Sequence, residues 1–331
     1  MTLNVLPLLC AIAGIAAAGS AAHAQTASTS SGQVYPAKPV RIVVPYAAGG
    51  PYDDIVRTLG QRLTEIWGQA VIVENRGGAG GNIGADVVAK AAPDGYTLLL
   101  GNAGPITVNP TLFKKLPYDP QRDLAPVSMV NASRMVLSVH PSLPAKNVKE
   151  LIALARARPG QLNFASSGVG NLQHLGMELL RIQAGVTMNH VPYKGAAPAF
   201  VDLISGQVDL MFANIVGTLP HLRTGRVRAV AVSSAARSPL LPEVPSVAET
   251  YKGFDIPTWS GIFAPAGTSR DIIAKLNGDL NKVLQRADVK ERFANQGSEA
   301  TPGTPEALAE HVRKETVMYA NVIKTAKIVA E

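Results

Sequence analysis

The sequence predicts an α/β fold in two lobes, joined as a clamshell by two extended crossings, and three observations predict it. The first is residues 41–54, RIVVPYAAGGPYDD, where a short β-branched run ends at Pro45, passes through small residues and opens a helix. The second is that the same order of strand, small-residue loop and helix recurs in two series, separated by a long extended stretch over 124–140. The third is a return stretch over 254–264, extended again and followed by terminal helices. Crossings near 130–140 and 250–260 give residues 35–135 and 255–331 as lobe 1 and residues 136–254 as lobe 2.

The elements follow in order. Ile42, Val43 and Val44 form the unbroken apolar run of a strand covered on both faces. Ala47, Ala48, Gly49 and Gly50 carry almost no side chain, so backbone N–H groups can approach a bound molecule there. Pro51, Tyr52, Asp53 and Asp54 then start a helix whose apolar stripe is Ile55, Leu59, Leu63 and Ile66. A helix start at the carboxyl edge of a sheet is an anion-binding geometry, although any α/β protein needs tight turns of this kind. Residues 70–74 read as a second strand, and NRGGAGGNIG as a second small-residue turn into a helix ending near Ala92. That turn is no nucleotide fingerprint, because Ile83 falls where the third glycine belongs and no G-K-[ST] follows. Residues 96–100 give a third strand, closed by Gly101, Asn102, Ala103 and Gly104. Beyond the crossing come a helix over 148–157, a strand over 162–165, the loop SSGVGN and a helix striped by Leu172, Leu175, Leu179 and Ile182. Strands over 190–193, 208–212 and 227–233 follow, with a helix over 198–205 and a helical turn over 220–223 between them. Terminal helices cover 269–285 and 305–323.

At 331 residues the chain suits two units of ordinary size, and 17% charged against 47% apolar residues makes it globular. Its net charge of +7 is spread thinly, with no basic run longer than Lys114-Lys115 and 5% aromatics, which argues against nucleic acid as a partner. Residues 1–24 hold no Asp, Glu, Lys or Arg and end in Ala22-His23-Ala24, the pattern of a secretory signal cleaved before Gln25. A membrane anchor is the weaker reading, since the apolar run is short and diluted by Ala, Gly and Ser. Residues 25–34 read as a flexible leader. The one cysteine, Cys10, lies inside that signal, so the exported form has no disulfide and no thiol chemistry.

The motifs YPAKPVRIVVPYAAGGPYD, WGQAVIVENRGGAGGNIGADVVAKAAPDGYTLLLG, ASSGVGNLQHLGMELL, VPYKGAAPAFVDLISGQVD and TPEALAEHVRKE occur in that order over essentially the whole mature chain. Together they closely resemble the Bug-type periplasmic solute receptors of tripartite tricarboxylate transporters. The resemblance implies a type II periplasmic-binding-protein fold and a Venus-flytrap cleft. It also implies a carboxylate ligand, and delivery to a two-component permease by a monomer without cofactor or metal. Carried over by position, the first-lobe loop supplies Ala48, Gly49, Gly50 and Asp53, with Tyr46 before it and Asn102 at the third strand end. The second-lobe loop supplies Ser166, Ser167, Gly168, Gly170, Asn171 and His174; the strand end beyond it supplies Tyr193, Lys194 and Gly195, and the G-Q-V-D motif Asp209.

Asp53 suits a cap for free N–H groups better than a contact to an anion, which its charge would repel. His174 can donate to a ligand or tie down its loop, Lys194 can reach the cleft or stay in water, and Asp209 can bind backbone or pair across the cleft. Two departures from the family pattern, Tyr52 for a small residue or Thr and Asn171 for Ser or Thr, point toward an aromatic carboxylate such as a terephthalate-like acid, beside aliphatic di- or tricarboxylates. The rival readings are a receptor presenting its bound state to a sensor protein, and a secreted hydrolase using Ser167 and His174. The hydrolase lacks a G-x-S-x-G elbow, and the histidines lack metal-site spacing.

Overall fold

The computed structural model describes residues 35–193 and 195–329, so the signal segment, the leader and Lys194 lie outside the described residues. Two mixed sheets organise the chain. The first contains β1 (Val40–Val44), β2 (Val71–Asn75), β3 (Thr97–Asn102), β4 (Leu124–Ser133), β10 (Thr258–Pro265) and β11 (Ser298–Ala300), in the order β11-β4-β10-β3-β1-β2. The second contains β5 (Met135–Val139), β6 (Asn163–Ser166), β7 (Asn189–Pro192), β8 (Leu210–Asn214) and β9 (Arg228–Val232), in the order β7-β6-β8-β5-β9. Strands β1, β2 and β3 run parallel, as do β6, β7 and β8, so each lobe gathers its parallel strand ends, and the loops behind them, on one edge.

The helices are α1 (Pro51–Trp67), α2 (Asn82–Ala89), the short α3 (Asn109–Leu112) and α4 (Pro120–Asp123), α5 (Val148–Ala157), α6 (Leu172–Ala184), α7 (Ala196–Ser205), α8 (Ile215–Arg223), α9 (Arg270–Gln285), α10 (Ala287–Asn295) and α11 (Pro305–Thr325). A single π-turn, Gly104–Val108, links β3 to α3. Local chemistry explains the boundaries. Asn171 Oδ1 accepts the His174 N–H at 2.9 Å to cap α6, and Gly185 closes that helix in the left-handed region at φ 62°. Thr304 caps α11 with Pro305 in its first turn, where the missing N–H costs nothing.

The stretch over 124–140 is extended as expected and divides at Arg134, whose carbonyl accepts the Ile215 N–H at 3.2 Å, so that β4 and β5 join different sheets. Several expectations need correcting. Helix α2 stops at Ala89 rather than Ala92, and α8 begins five residues before the expected turn, because Pro220 sits inside it. Ile66 and Ile182 carry helical spacing yet are 44% and 40% exposed, so each falls off its buried stripe. Strand β2 closes the sheet edge, which leaves Ile72 half in solvent. Helix α10 and strand β11 were not expected at all.

Candidate functional site

A cavity of about 800 Å³ lies where the strand-end loops of the two sheets converge. From the first lobe, Tyr46 beyond β1 stacks on Tyr52 in the first turn of α1, with ring centroids 4.9 Å apart. The Tyr46 hydroxyl donates to Asn102 Oδ1 at 3.0 Å, and this buried amide at the end of β3 holds the ring in place. Burial pushes both phenols upward, so they are neutral donors over the whole physiological range.

The second lobe contributes the loop 167–171 and the end of β7. Gly168 and Gly170 adopt φ of 145° and 75°, which a side chain would strain. A Cβ at Gly170 would lie 2.3 Å from Leu112 Cδ2, so the lobes touch at this side of the cavity. The loop is tied down from within: Ser167 N–H donates to Gln173 Oε1 at 2.7 Å, Asn171 Nδ2 to Ser167 Oγ at 2.7 Å, and Gly170 N–H to His174 Nδ1 at 3.0 Å. Tyr193 also lines the cavity, with its hydroxyl given to Asp202 at 2.6 Å; burial first, then this bond, push it up to about 12.

The structure therefore brings Tyr46, Tyr52, Asn102, Ser167, Gly168, Gly170, Asn171 and Tyr193 to one space. It leaves other candidates outside the cavity lining. Ala48 and Gly49 are exposed on the loop ahead of α1, and Gly50 is its N-cap residue. Asp53 turns inward, accepts the Gly49 N–H at 2.9 Å and pairs with Arg57 at 2.9 Å; that guanidinium holds its carboxyl below the usual range, so it braces the loop. Ser166 is fully buried, bonded to His190 Nε2 at 2.7 Å. His174 is buried and stacks on His190 at 3.7 Å, with Nδ1 already engaged, so it holds the loop rather than facing the cavity. Asp209 precedes β8, at the far end from the cavity, and accepts the Asn163 N–H at 2.7 Å. Ser167 and His174 bond to separate partners and not to each other, so the dyad a hydrolase needs is not formed.

Gly80, Val108, Asn109, Leu112 and Phe113 also line the cavity and were missed. The glycine-rich turn and the Gly104 loop were visible signals for the first. The α3 residues carried none, because only the π-turn folds them back over the strand ends.

Burial, and then the charge of His174, push His190 down to about 4. A histidine kept neutral in the fold contributes its full stability above its ordinary pKa of about 6.5 and loses it as pH falls toward 4. The stability advantage of the wild type over His190→Gln should therefore shrink between pH 7 and pH 5, read as melting temperature at each pH. An advantage constant across that range would refute this role.

Two α/β lobes, crossed twice by the chain and enclosing a cavity at their strand ends, define a solute-binding protein of the periplasmic type. Residues 55–328 match the model of the tripartite tricarboxylate transporter family receptor, and the chain belongs to that family. It is 40% identical over 324 residues to protein BugT of Bordetella pertussis, covering 97% of this chain and 96% of that one. Among solved structures it is similar to R. palustris Rpa4515 with adipate, at 36% identity and TM-score 0.75 over 89% of this chain and 99% of that chain. It is also similar to MatC (Rpa3494) from Rhodopseudomonas palustris with bound malate, at 35% identity and TM-score 0.71 over 87% and 100%.

Proposed function

We propose that this chain is a periplasmic receptor, exported by a signal cleaved after Ala24, that binds a small carboxylate between its lobes and delivers it to a two-component permease. Residues 35–135 and 255–331 act as one lobe and 136–254 as the other, closing over the ligand. The observation that carries the reading is the makeup of the cavity: the opening turns of α1 and α6 line it through Tyr52 and Leu172, and no Lys or Arg among the described residues does. Helix N-termini supply a positive field for an anion, worth roughly 0.3–1 kcal/mol each and up to about 2 when buried. Micromolar affinity needs about 8 kcal/mol, so the remainder must come from hydrogen bonds and from closure. The adipate and malate held by the two solved relatives support a small carboxylate as the ligand.

The Tyr46–Tyr52 stack, with Leu112 and Phe113, gives this cavity an apolar wall that suits a carboxylate with a flat or aliphatic body. A thermal-shift screen of the chain from Gln25 should include adipate, malate, citrate, glutamate, benzoate and terephthalate. A binder at a hundred times its dissociation constant adds about 2.7 kcal/mol, several degrees of melting temperature. Adipate and the aromatic acids should give the largest shifts, and Tyr52→Ala should reduce the aromatic response most. No shift from any carboxylate would overturn the reading.

A further inference from the structure

Helix α11 carries a buried carboxylate outside the cavity lining. Glu315 is 4% exposed, and its Oε2 accepts the Trp259 Nε1–H at 2.7 Å. The same Oε2 lies 2.8 Å from Thr107 Oγ1, and that hydroxyl lies 2.9 Å from the Ala103 carbonyl one turn earlier. Thr107 belongs to the π-turn Gly104–Val108, whose two end residues line the cavity. Trp259 is the second residue of β10, just after the chain has crossed back from the second lobe. The carboxylate thus joins the wall of the cavity to the junction of the lobes.

We propose that Glu315 is a positioning residue for the π-turn, and that the proton it holds couples ligand affinity to pH. The inference rests on the carboxylate-receptor reading. The Thr107 hydroxyl has one proton and two acceptors within reach, so the network has two arrangements. With Glu315 ionised, Thr107 donates to Oε2 and the Ala103 carbonyl loses the hydroxyl bond. With Glu315 protonated on Oε2, the acid donates to Thr107 Oγ1, and Thr107 donates to Ala103, closing the turn on itself. The neutral arrangement braces the turn whose ends line the cavity and removes a negative charge from behind it; the ionised one does the opposite.

The titratable groups facing Glu315 are His311 and Tyr319 on its own helix and Asp255 from the segment before β10; Thr107 and Trp259 bring no charge. Glu315 Oε1, His311 Nε2 and the Tyr319 hydroxyl are all buried without hydrogen-bond partners, and His311 Nε2 is 3.8 Å from Oε1. His311 is itself held below its ordinary value by burial and then by Lys314, so it does not neutralise the acid at physiological pH. Burial pushes the Glu315 carboxyl up to about 7, against the hydrogen bonds it accepts.

Two readouts test this. In a Trp67→Phe background, the ligand-free protein should show a single transition of Trp259 fluorescence near pH 7, absent after Glu315→Gln, which keeps an oxygen acceptor without the proton. In calorimetric titrations with adipate and terephthalate, wild-type affinity should fall about fivefold or more from pH 6 to pH 8, the range expected of a coupled site. Glu315→Gln should bind independently of pH, and Thr107→Val should keep the fluorescence transition while losing the pH dependence of binding. No fluorescence transition, or the same affinity profile in wild type and Glu315→Gln, overturns the proposal. If the transition is present but neither acid binds at either pH, the receptor reading has failed, and the coupling falls with it.

Discussion

Trp259→Ala should lower the free energy of unfolding by about 3–5 kcal/mol, the cost of emptying the site of a fully buried aromatic side chain. Trp259 is 2% exposed and meets the edge of the His311 ring at 5.1 Å, near Phe263 on the same strand. Truncation leaves a void at the start of β10 and takes from Glu315 one of its two bonded neighbours. Trp259→Phe separates these effects. It keeps most of the packing and removes only the N–H, for which about 1–3 kcal/mol is expected, since the acid it served stays buried. Urea unfolding of both variants checks the prediction. A loss below about 1 kcal/mol in the alanine variant would mean that β10 repacks around the void.

Gly84→Ala should cost about 2–3 kcal/mol, from one methyl group forced into a packed interior. A Cβ there would stand 2.8 Å from Pro45 Cα and 2.9 Å from the Arg76 carbonyl oxygen. Both obstacles are backbone, from the end of β1 and from the loop after β2, so neither can swing aside as a flexible side chain would. Because Tyr46 follows Pro45, the displacement should reach the Tyr46–Tyr52 stack and weaken carboxylate binding together with stability. A variant with unchanged melting temperature and unchanged affinity would show that α2 is not seated against the site as the geometry requires.

The fold was legible in the sequence where burial and local chemistry agree. The run Ile42-Val43-Val44 is fully buried, and the helices expected over 148–157, 269–285 and 305–323 form behind the side-chain caps Asn147, Ser269 and Thr304. Legibility failed where the partner decides. Strand β11 is three residues, Ser298-Glu299-Ala300, with no pattern of its own, and it exists because the edge of β4 pairs with it. Helix α10 buries only Val289 and Phe293 in an otherwise polar segment. In the site, small-residue loops located the cavity, but residue type did not reveal orientation. Asp53, His174 and Asp209 have the chemistry of ligand contacts, yet their polar atoms are spent on Gly49, Gly170 and Asn163. Leu112 and Phe113 carry no sequence signal of a site, and they reach the cavity behind the π-turn.

Where β4 passes into β5 at Arg134, the second sheet is threaded into the first as an insert with adjoining ends. Met135 N–H donates to Ser233 Oγ at 3.0 Å, and Ser233 N–H donates back to the Met135 carbonyl at 2.9 Å. All five strands of that insert have been synthesised before Thr258 is made, whereas the first sheet lacks its central strand β10 until then. The insert can therefore acquire structure ahead of strands β1 to β4, which cannot complete their sheet without β10. A chain cut short before β10 should thus yield one protease-resistant core, and it should be the later-synthesised one.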